Sequence, residues 1–246
     1  MIFDGHSDIF SDVRYKREAG ETQVLKNHHL DRLRKGGIGG ACFVIWADTY
    51  NGHAPKDEME AIVKGIKGEM AETKEFVLIH NVEELKAAEA AGKFAILLGI
   101  EGLAGIGEDL SKIDELYDLG ARHAMLTWNE ENALATGVKG DPNRGVTELG
   151  KQAIKKLQEK KMILDVSHIN EKSFWDVIDL ATGPILASHS NAKALASAAR
   201  NLTDDQLRAI RDTNGLVGLN AFGDFISDNK AEQDVDHLVN ILLRLV

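Results

Sequence analysis

Two histidines stand directly after two short apolar runs in the segment from residue 162 to residue 195. The first run leads to His168 and the second to His189, with a helix-like segment between them. This order predicts a β–α–β unit, whose parallel strands are near neighbours and end at one rim of the sheet. Two imidazoles brought together at that rim would form half of a metal site. The alternative is two unrelated polar residues at strand ends.

Other candidate ligands follow two more apolar runs. His6 and Asp8 lie two residues apart, so on an extended backbone their side chains project to the same side. Glu101 comes directly after the apolar run of residues 94–100, where a carboxylate would be costly to bury without a partner. Together with His168 and His189, these groups make a mixed nitrogen and oxygen set suited to zinc. A bridging carboxylate among them could hold two ions.

The elements that must position these residues alternate between strand and helix along the chain. Seven main strands are predicted, with the Phe76 run as an accessory strand. They begin near Ile2, Ala41, Phe94, His123, Met162, Ile185 and Leu216. This alternation predicts an α/β fold, a (β/α)₈ TIM-type barrel whose eighth strand is absent from the sequence. We expect one domain, residues 1–246, that lacks the C-terminal βα portion of such a barrel. Either the sequence lacks a C-terminal segment or the protein is a truncated form whose barrel is open, and the first is favoured because the strand edges of an open barrel are a liability.

Composition limits the classes of partner. The chain has 246 residues, of which 43% are hydrophobic, which is enough for one large core. Its 29 basic residues are scattered and are outnumbered by 39 acidic ones, giving a net charge of −10, so nucleic acid is not an expected partner. No leader-like start or long apolar window suggests export or a membrane span, and we expect a cytoplasmic protein. The single cysteine, Cys42, is expected in the core.

Seven short motifs in a fixed order carry a family resemblance that covers essentially the whole chain. They are DGHSD (4–8), GIEG (99–102), LTWN (126–129), DVSH (165–168), SHSNA (188–192), RNLTDDQL (200–207) and GLVGLN (215–220). With these motifs the sequence resembles the membrane (renal) dipeptidase family of zinc peptidases, peptidase family M19, and specifically its bacterial members.

The resemblance implies a dinuclear zinc dipeptidase. His6 and Asp8 would bind one zinc ion, His168 and His189 would bind the second, and Glu101 would bridge the two together with a water or hydroxide. That water would attack the peptide carbonyl of a dipeptide. The family also implies acceptance of substrates with a C-terminal D-residue.

The resemblance further implies how the substrate is held. Arg200 would pair with the free carboxylate of the dipeptide, a role that suits a guanidinium. Family members carry a histidine at the position of Trp128, where it holds the substrate oxygen. The indole N–H of Trp128 could still donate, and Asn129 is the other candidate for that contact. The family's acid/base aspartate, which follows its eighth strand, has no counterpart up to Val246. Family members are often dimers, which implies a homodimer.

Two other functions remain open from the residues. The first is an amidohydrolase or lactonase on a related barrel, although such barrels typically begin with His-x-His and bridge their metals with a modified lysine. The second is a metal-binding or peptide-binding protein without turnover, which Trp128 and the missing aspartate would favour.

Overall fold

A computed structural model describes residues 1–47 and 52–245, which form two compact units, Met1–Ala124 and Met125–Val246. The strands of the described residues are β1 (Ile2–Ser7), β2 (Ile38–Trp46), β3 (Phe76–Leu78), β4 (Phe94–Glu101), β5 (Ala121–Met125), β6 (Ile163–Asp165), β7 (Ile185–Ala187) and β8 (Leu216–Val217). The α-helices are α1 (Ile9–Glu18), α2 (Asp31–Lys35), α3 (Pro55–Glu72), α4 (Val82–Ala90), α5 (Lys112–Leu119), α6 (Glu148–Glu159), α7 (Glu171–Leu180), α8 (Asp204–Asp212), α9 (Gly223–Ile226) and α10 (Val235–Leu245). A π-helix (Leu25–Leu30) and two 3₁₀ segments (Ala104–Ile106 and Lys230–Glu232) complete the order.

The first unit is built on a parallel sheet in the order β1-β2-β4-β5. The short strand β3 pairs with the beginning of β4, outside that order, so its predicted accessory position is confirmed. The centre of the sheet is fully buried, and Phe43 on β2 packs against Phe10 and Phe94 with ring centroids 5.4 and 5.6 Å apart. Cys42 is buried, as predicted.

One expectation about this sheet is wrong. The apolar residues at the start of the chain predict a buried strand, but Ile2 is 58% exposed and Phe3 is 37% exposed. Within the described residues of this unit β1 pairs with β2 alone, so β1 is an edge strand and its outer side chains reach solvent.

The second unit contains the β–α–β arrangement predicted from the two histidines. Strands β6, β7 and β8 are parallel neighbours, with Asp165 opposite Leu186 and Ala187 opposite Val217. Helix α7 connects β6 to β7, and its first turn is capped by Asn170, whose side chain accepts from the amide of Ser173. Both strands therefore deliver the residues that follow them to the same end of the sheet.

Local capping signals define several helix starts. The sequence Thr203-x-x-Gln206 predicts a capping box, and the structure has it: the Thr203 hydroxyl accepts from the Gln206 amide and the Gln206 side chain accepts from the Thr203 amide. At α4 the Asn81 side chain caps the helix as predicted, but Glu84 accepts from the amide of His80 instead of that of Asn81. The last predicted helix matches α10, and its predicted end, Val246, lies outside the described residues.

Helix α1 and the π-helix do not appear among the predictions, and both lie in a stretch rich in charged residues. His28 and His29 lie in the π-helix, where His28 pairs with Glu21 at 2.6 Å and His29 with Asp12 at 2.8 Å.

Among the helices of the described residues, none combines the length and the apolar character that a membrane span requires.

Candidate metal centre and substrate site

Three of the predicted metal ligands meet in the first unit. His6 is near the end of β1, Asp8 follows that strand, and Glu101 ends β4. The Nε2 atom of His6 lies 3.2 Å from Oε2 of Glu101 and 3.7 Å from Oδ1 of Asp8. Glu101 is buried, with its side chain only 4% exposed. One imidazole nitrogen and two carboxylates therefore face one point at the ends of two strands.

The two carboxylates strongly change the protonation of His6. Burial by itself would lower the pKa of the imidazole, but hydrogen bonds and charge attraction from Asp8 and Glu101 outweigh it and raise the pKa to about 10. Although about half of the Asp8 side chain reaches solvent, loss of water around its carboxyl group raises its pKa, and Glu101 raises it further while His6 opposes the shift. Without a cation, this cluster holds a proton.

The second unit brings its two predicted ligands together. Nε2 of His168 and Nε2 of His189 are 2.8 Å apart, and the ring centroids are separated by 4.8 Å. His168 comes three residues after β6 and His189 two residues after β7, so the prediction that neighbouring parallel strands would join them is confirmed. Their role as metal ligands stays a prediction.

Each of these two histidines is held at its other ring nitrogen. Nδ1 of His168 lies 3.0 Å from Oδ1 of Asn129, and Nδ1 of His189 lies 2.8 Å from the hydroxyl of Ser188. Metal-ligating histidines are usually oriented in this way, because a partner at one nitrogen fixes the ring and leaves the other nitrogen available. Asn129 was predicted to contact substrate, and the structure places its side-chain oxygen on a candidate ligand.

A buried carboxylate lies behind the Ser188 hydroxyl. Asp165, 1% exposed, accepts from the Ser167 hydroxyl at 2.6 Å and from the Ser167 amide at 2.8 Å. It also accepts from the Ser188 amide at 3.2 Å, and the two serine hydroxyls are 3.4 Å apart. Sequence reasoning missed these three residues as part of the site. The signal was present, since each occurs within three residues of a candidate ligand in a motif that the resemblance used.

The predicted substrate residues lie beside the histidine pair in the same unit. Arg200 is 8% exposed, and its Nη2 lies 3.5 Å from the carbonyl oxygen of His189. The indole of Trp128 lies with its centroid 6.0 Å from that of His168. The ammonium of Lys139, which sequence reasoning did not single out, stands 5.5 Å from the centre of the Trp128 ring. A cation thus lies within cation–π distance of the Trp128 indole.

The chemistry of the donor sets fits zinc in both units. The first offers an imidazole nitrogen with carboxylate oxygens, and the second offers two imidazole nitrogens whose opposite edges are already hydrogen-bonded. Imidazole and carboxylate are ordinary zinc ligands.

Comparison with known proteins defines the class. A solved metallopeptidase from Rhodobacter sphaeroides, bound to a phosphinate mimic of the dipeptide L-Ala-D-Ala, is 25% identical; the match covers 99% of this chain and 81% of that one, with a TM-score of 0.88. A solved dipeptidase of peptidase family M19 gives 26% identity, 99% and 80% coverage, and the same TM-score of 0.88. The predicted class is confirmed: this is an α/β fold of the TIM-barrel type, with seven main strands and the accessory β3 among the described residues.

The sequence profile of the membrane dipeptidase family, peptidase family M19, matches residues 1–243, so the chain belongs to that family. An uncharacterized Acinetobacter calcoaceticus protein of the PQQ-III 3′ region is 30% identical over 98% of this chain and 86% of its own length. An uncharacterized dipeptidase of Schizosaccharomyces pombe is 29% identical over 98% of this chain and 65% of its own length. Family and solved structures together indicate a metal-dependent dipeptidase.

Proposed function

We propose that this chain hydrolyses dipeptides at a centre of two zinc ions. The observation that carries the proposal is that each unit independently assembles a zinc-type donor set at the ends of its parallel strands. His6 and Asp8 would hold one ion, His168 and His189 the other, and Glu101 would bridge them. Zinc held by these residues would supply Lewis-acid polarisation of the peptide carbonyl and activation of the attacking water.

The chain's own residues prepare this chemistry. Asn129 and Ser188 orient the two histidines of the second unit, and burial of Glu101 keeps its carboxylate in a setting where electrostatic interactions are strong. Trp128 would cover the histidine pair and offer its indole N–H to the substrate oxygen. These assignments make the site one in which the protein fixes geometry and charge before substrate arrives.

Arg200 would select the substrate. Its guanidinium lies 3.5 Å from the carbonyl oxygen of His189, and two parallel N–H groups match a terminal carboxylate. A carboxylate one residue beyond the scissile bond would therefore be recognised, which favours dipeptides over longer chains. The solved relative bound to an L-Ala-D-Ala mimic supports extending the proposal to dipeptides with a C-terminal D-residue.

The test is hydrolysis of matched L,L- and L,D-dipeptides, with zinc analysis on the same sample, by wild type and Glu101→Ala. We expect close to two zinc ions per chain, cleavage of both series by wild type, and loss of cleavage in the variant. Zinc binding without cleavage would leave a metal-binding protein without turnover. Cleavage of cyclic amides or lactones in place of dipeptides would favour the amidohydrolase alternative.

A further inference from the structure

The second unit contains a run of hydrogen bonds that ends on one of the two histidines. We propose that Asp165 is a positioning residue for His189 and acts on it through the hydroxyls of Ser167 and Ser188. This inference rests on the proposed function, because it assigns His189 as a zinc ligand through Nε2. The four residues come from the ends of two neighbouring strands, β6 and β7.

The directions of the hydrogen bonds nearest to Asp165 follow from the number of protons available. A carboxylate only accepts, so the Ser167 hydroxyl must donate its single proton to Asp165 across 2.6 Å. The Ser167 oxygen can then only accept, and it faces the His189 amide at 3.3 Å and the Ser188 hydroxyl at 3.4 Å. The Ser188 hydroxyl has two candidate acceptors, the Ser167 oxygen at 3.4 Å and Nδ1 of His189 at 2.8 Å. Zinc on Nε2 of His189 would put the imidazole proton on Nδ1, and the Ser188 proton would then be directed to Ser167.

The proposed zinc on Nε2 would therefore select one tautomer of His189. With its own proton directed to Ser167, the Ser188 oxygen is free to accept, and Nδ1 of His189 lies 2.8 Å from it. An imidazole that binds a metal through Nε2 carries its proton on Nδ1, which is the form this acceptor selects. In this arrangement each hydrogen bond from His189 through Ser188 and Ser167 is donated towards Asp165. Nε2 of His189 then keeps its lone pair for a metal ion.

The two histidines are thus supported differently. His168 donates to the neutral side-chain oxygen of Asn129 across 3.0 Å, whereas His189 is tied to a buried carboxylate through two hydroxyls. Asp165 also accepts the backbone amides of Ser167 and Ser188, so it fixes both strand ends relative to each other. A carboxylate that is 1% exposed requires several donors of this kind to offset its lost hydration.

A matched pair of serine substitutions tests the proposal. Ser188→Ala removes the acceptor of His189, whereas Ser190→Ala removes a hydroxyl on the other side of the same histidine. Ser190 is fully buried, and its hydroxyl has no hydrogen-bond partner among the residues that the structure describes. Zinc affinity is measured by competition with a chromophoric chelator, which needs no turnover. In Ser188→Ala we expect the zinc ion held by His168 and His189 to bind about 10- to 100-fold more weakly. In Ser190→Ala we expect no change in zinc affinity.

Two further readouts separate positioning from simple loss of structure. Ser188→Thr keeps the hydroxyl and should restore zinc affinity to within a few-fold of wild type. In zinc-loaded protein labelled with ¹⁵N-histidine, the Nδ1 proton of His189 should give a protected NMR resonance that disappears only in Ser188→Ala. Equal zinc affinity in Ser188→Ala and Ser190→Ala, or a protonated Nε2 on His189, overturns the inference while the proposed function stands. If wild type itself takes up no zinc, both are overturned.

Discussion

The proton held by His6 has a direct consequence for metal binding. Burial lowers and the two carboxylates raise the pKa of His6, with a net value of about 10, so at neutral pH a metal ion must displace a proton. The apparent zinc affinity of the site should therefore increase about tenfold for each pH unit, up to that pKa. Chelator competition at pH 6.5, 7.5 and 8.5 would measure the slope. An affinity that does not change with pH would contradict the protonated cluster.

The same shift predicts the pH dependence of the metal-free fold. The folded pKa of about 10 lies above the ordinary value of 6.5, so the protonated form favours folding. The contribution of His6 to the free energy of unfolding is fully present below pH 6.5 and is lost as the pH rises through about 10. Urea unfolding of the metal-free chain should show it, and His6→Gln, which cannot titrate, should remove that component.

Arg200 makes a prediction about substrate recognition. Arg200→Lys keeps the charge but loses the planar pair of N–H groups, so the KM for dipeptides should increase by about 10- to 100-fold. Dipeptide amides, which lack the terminal carboxylate, serve as the control substrates. Wild type and Arg200→Lys should differ little on them, and an equal loss on both substrate series would show that Arg200 supports structure instead.

The sequence predicted residue positions correctly where the pattern of apolar runs was enough to locate a side chain. Apolar runs ending in His168 and His189 were enough to bring the two rings together, because parallel strands share one rim. The support from Asp165 was not predicted. Its place three residues before His168 marks it as a candidate, but its hydrogen bonds depend on the register between β6 and β7, which the sequence does not show.

At the level of elements, two glycines that terminate helices allow a controlled comparison. Gly120 after α5 has φ +119°, and an added Cβ would lie 3.2 Å from Nε2 of His80. Gly92 after α4 has φ +64° and open space around it. Gly92→Ala should cost about 1 kcal/mol of unfolding free energy from backbone strain alone. Gly120→Ala should cost more, because the contact adds to the strain. Equal losses in thermal unfolding would contradict the crowding at Gly120.

The elements that sequence reasoning missed bury polar groups. Helix α1 carries Arg14, whose side chain is 7% exposed and pairs with Glu58, 5% exposed, at 3.1 Å. Glu69 on α3 is fully buried and accepts from the amide of Leu25, the first residue of the π-helix, at 2.8 Å. Hydropathy patterns mark such residues as solvent-facing, because the ion pairs that make their burial possible join distant parts of the sequence.

For the whole molecule, metal and stability should be coupled. Zinc that binds only the folded chain raises the free energy of unfolding by about 2.7 kcal/mol per site when the free zinc concentration is 100 times Kd. Removing the metal with EDTA should therefore lower Tm and abolish dipeptide cleavage, and added zinc should restore both. Glu101→Gln is the comparison variant, and it should show a smaller rise in Tm with zinc. A Tm insensitive to zinc in wild type would contradict a metal centre built into the fold.

Fold class and family were predictable from the whole sequence because the motifs occur at successive strand ends in one order. The expected homodimer, the single domain and the cytoplasmic location stay predictions. Solution mass measured by light scattering over a range of protein concentrations would test the dimer.

The chain separation within each donor pair affects how the protein folds. His168 and His189 are 21 residues apart, whereas His6 and Glu101 are 95 apart, from position 6 to position 101. Closing the longer loop costs about 1.3 kcal/mol more in chain entropy. During synthesis, at roughly 5–20 residues per second, His6 would wait about 5–19 seconds for Glu101 to be made, whereas the histidine pair needs only one β–α–β unit. The two imidazoles of the second unit are therefore both made within about 1–4 seconds of each other, whereas His6 in the first unit stays without Glu101 for most of the synthesis of that unit.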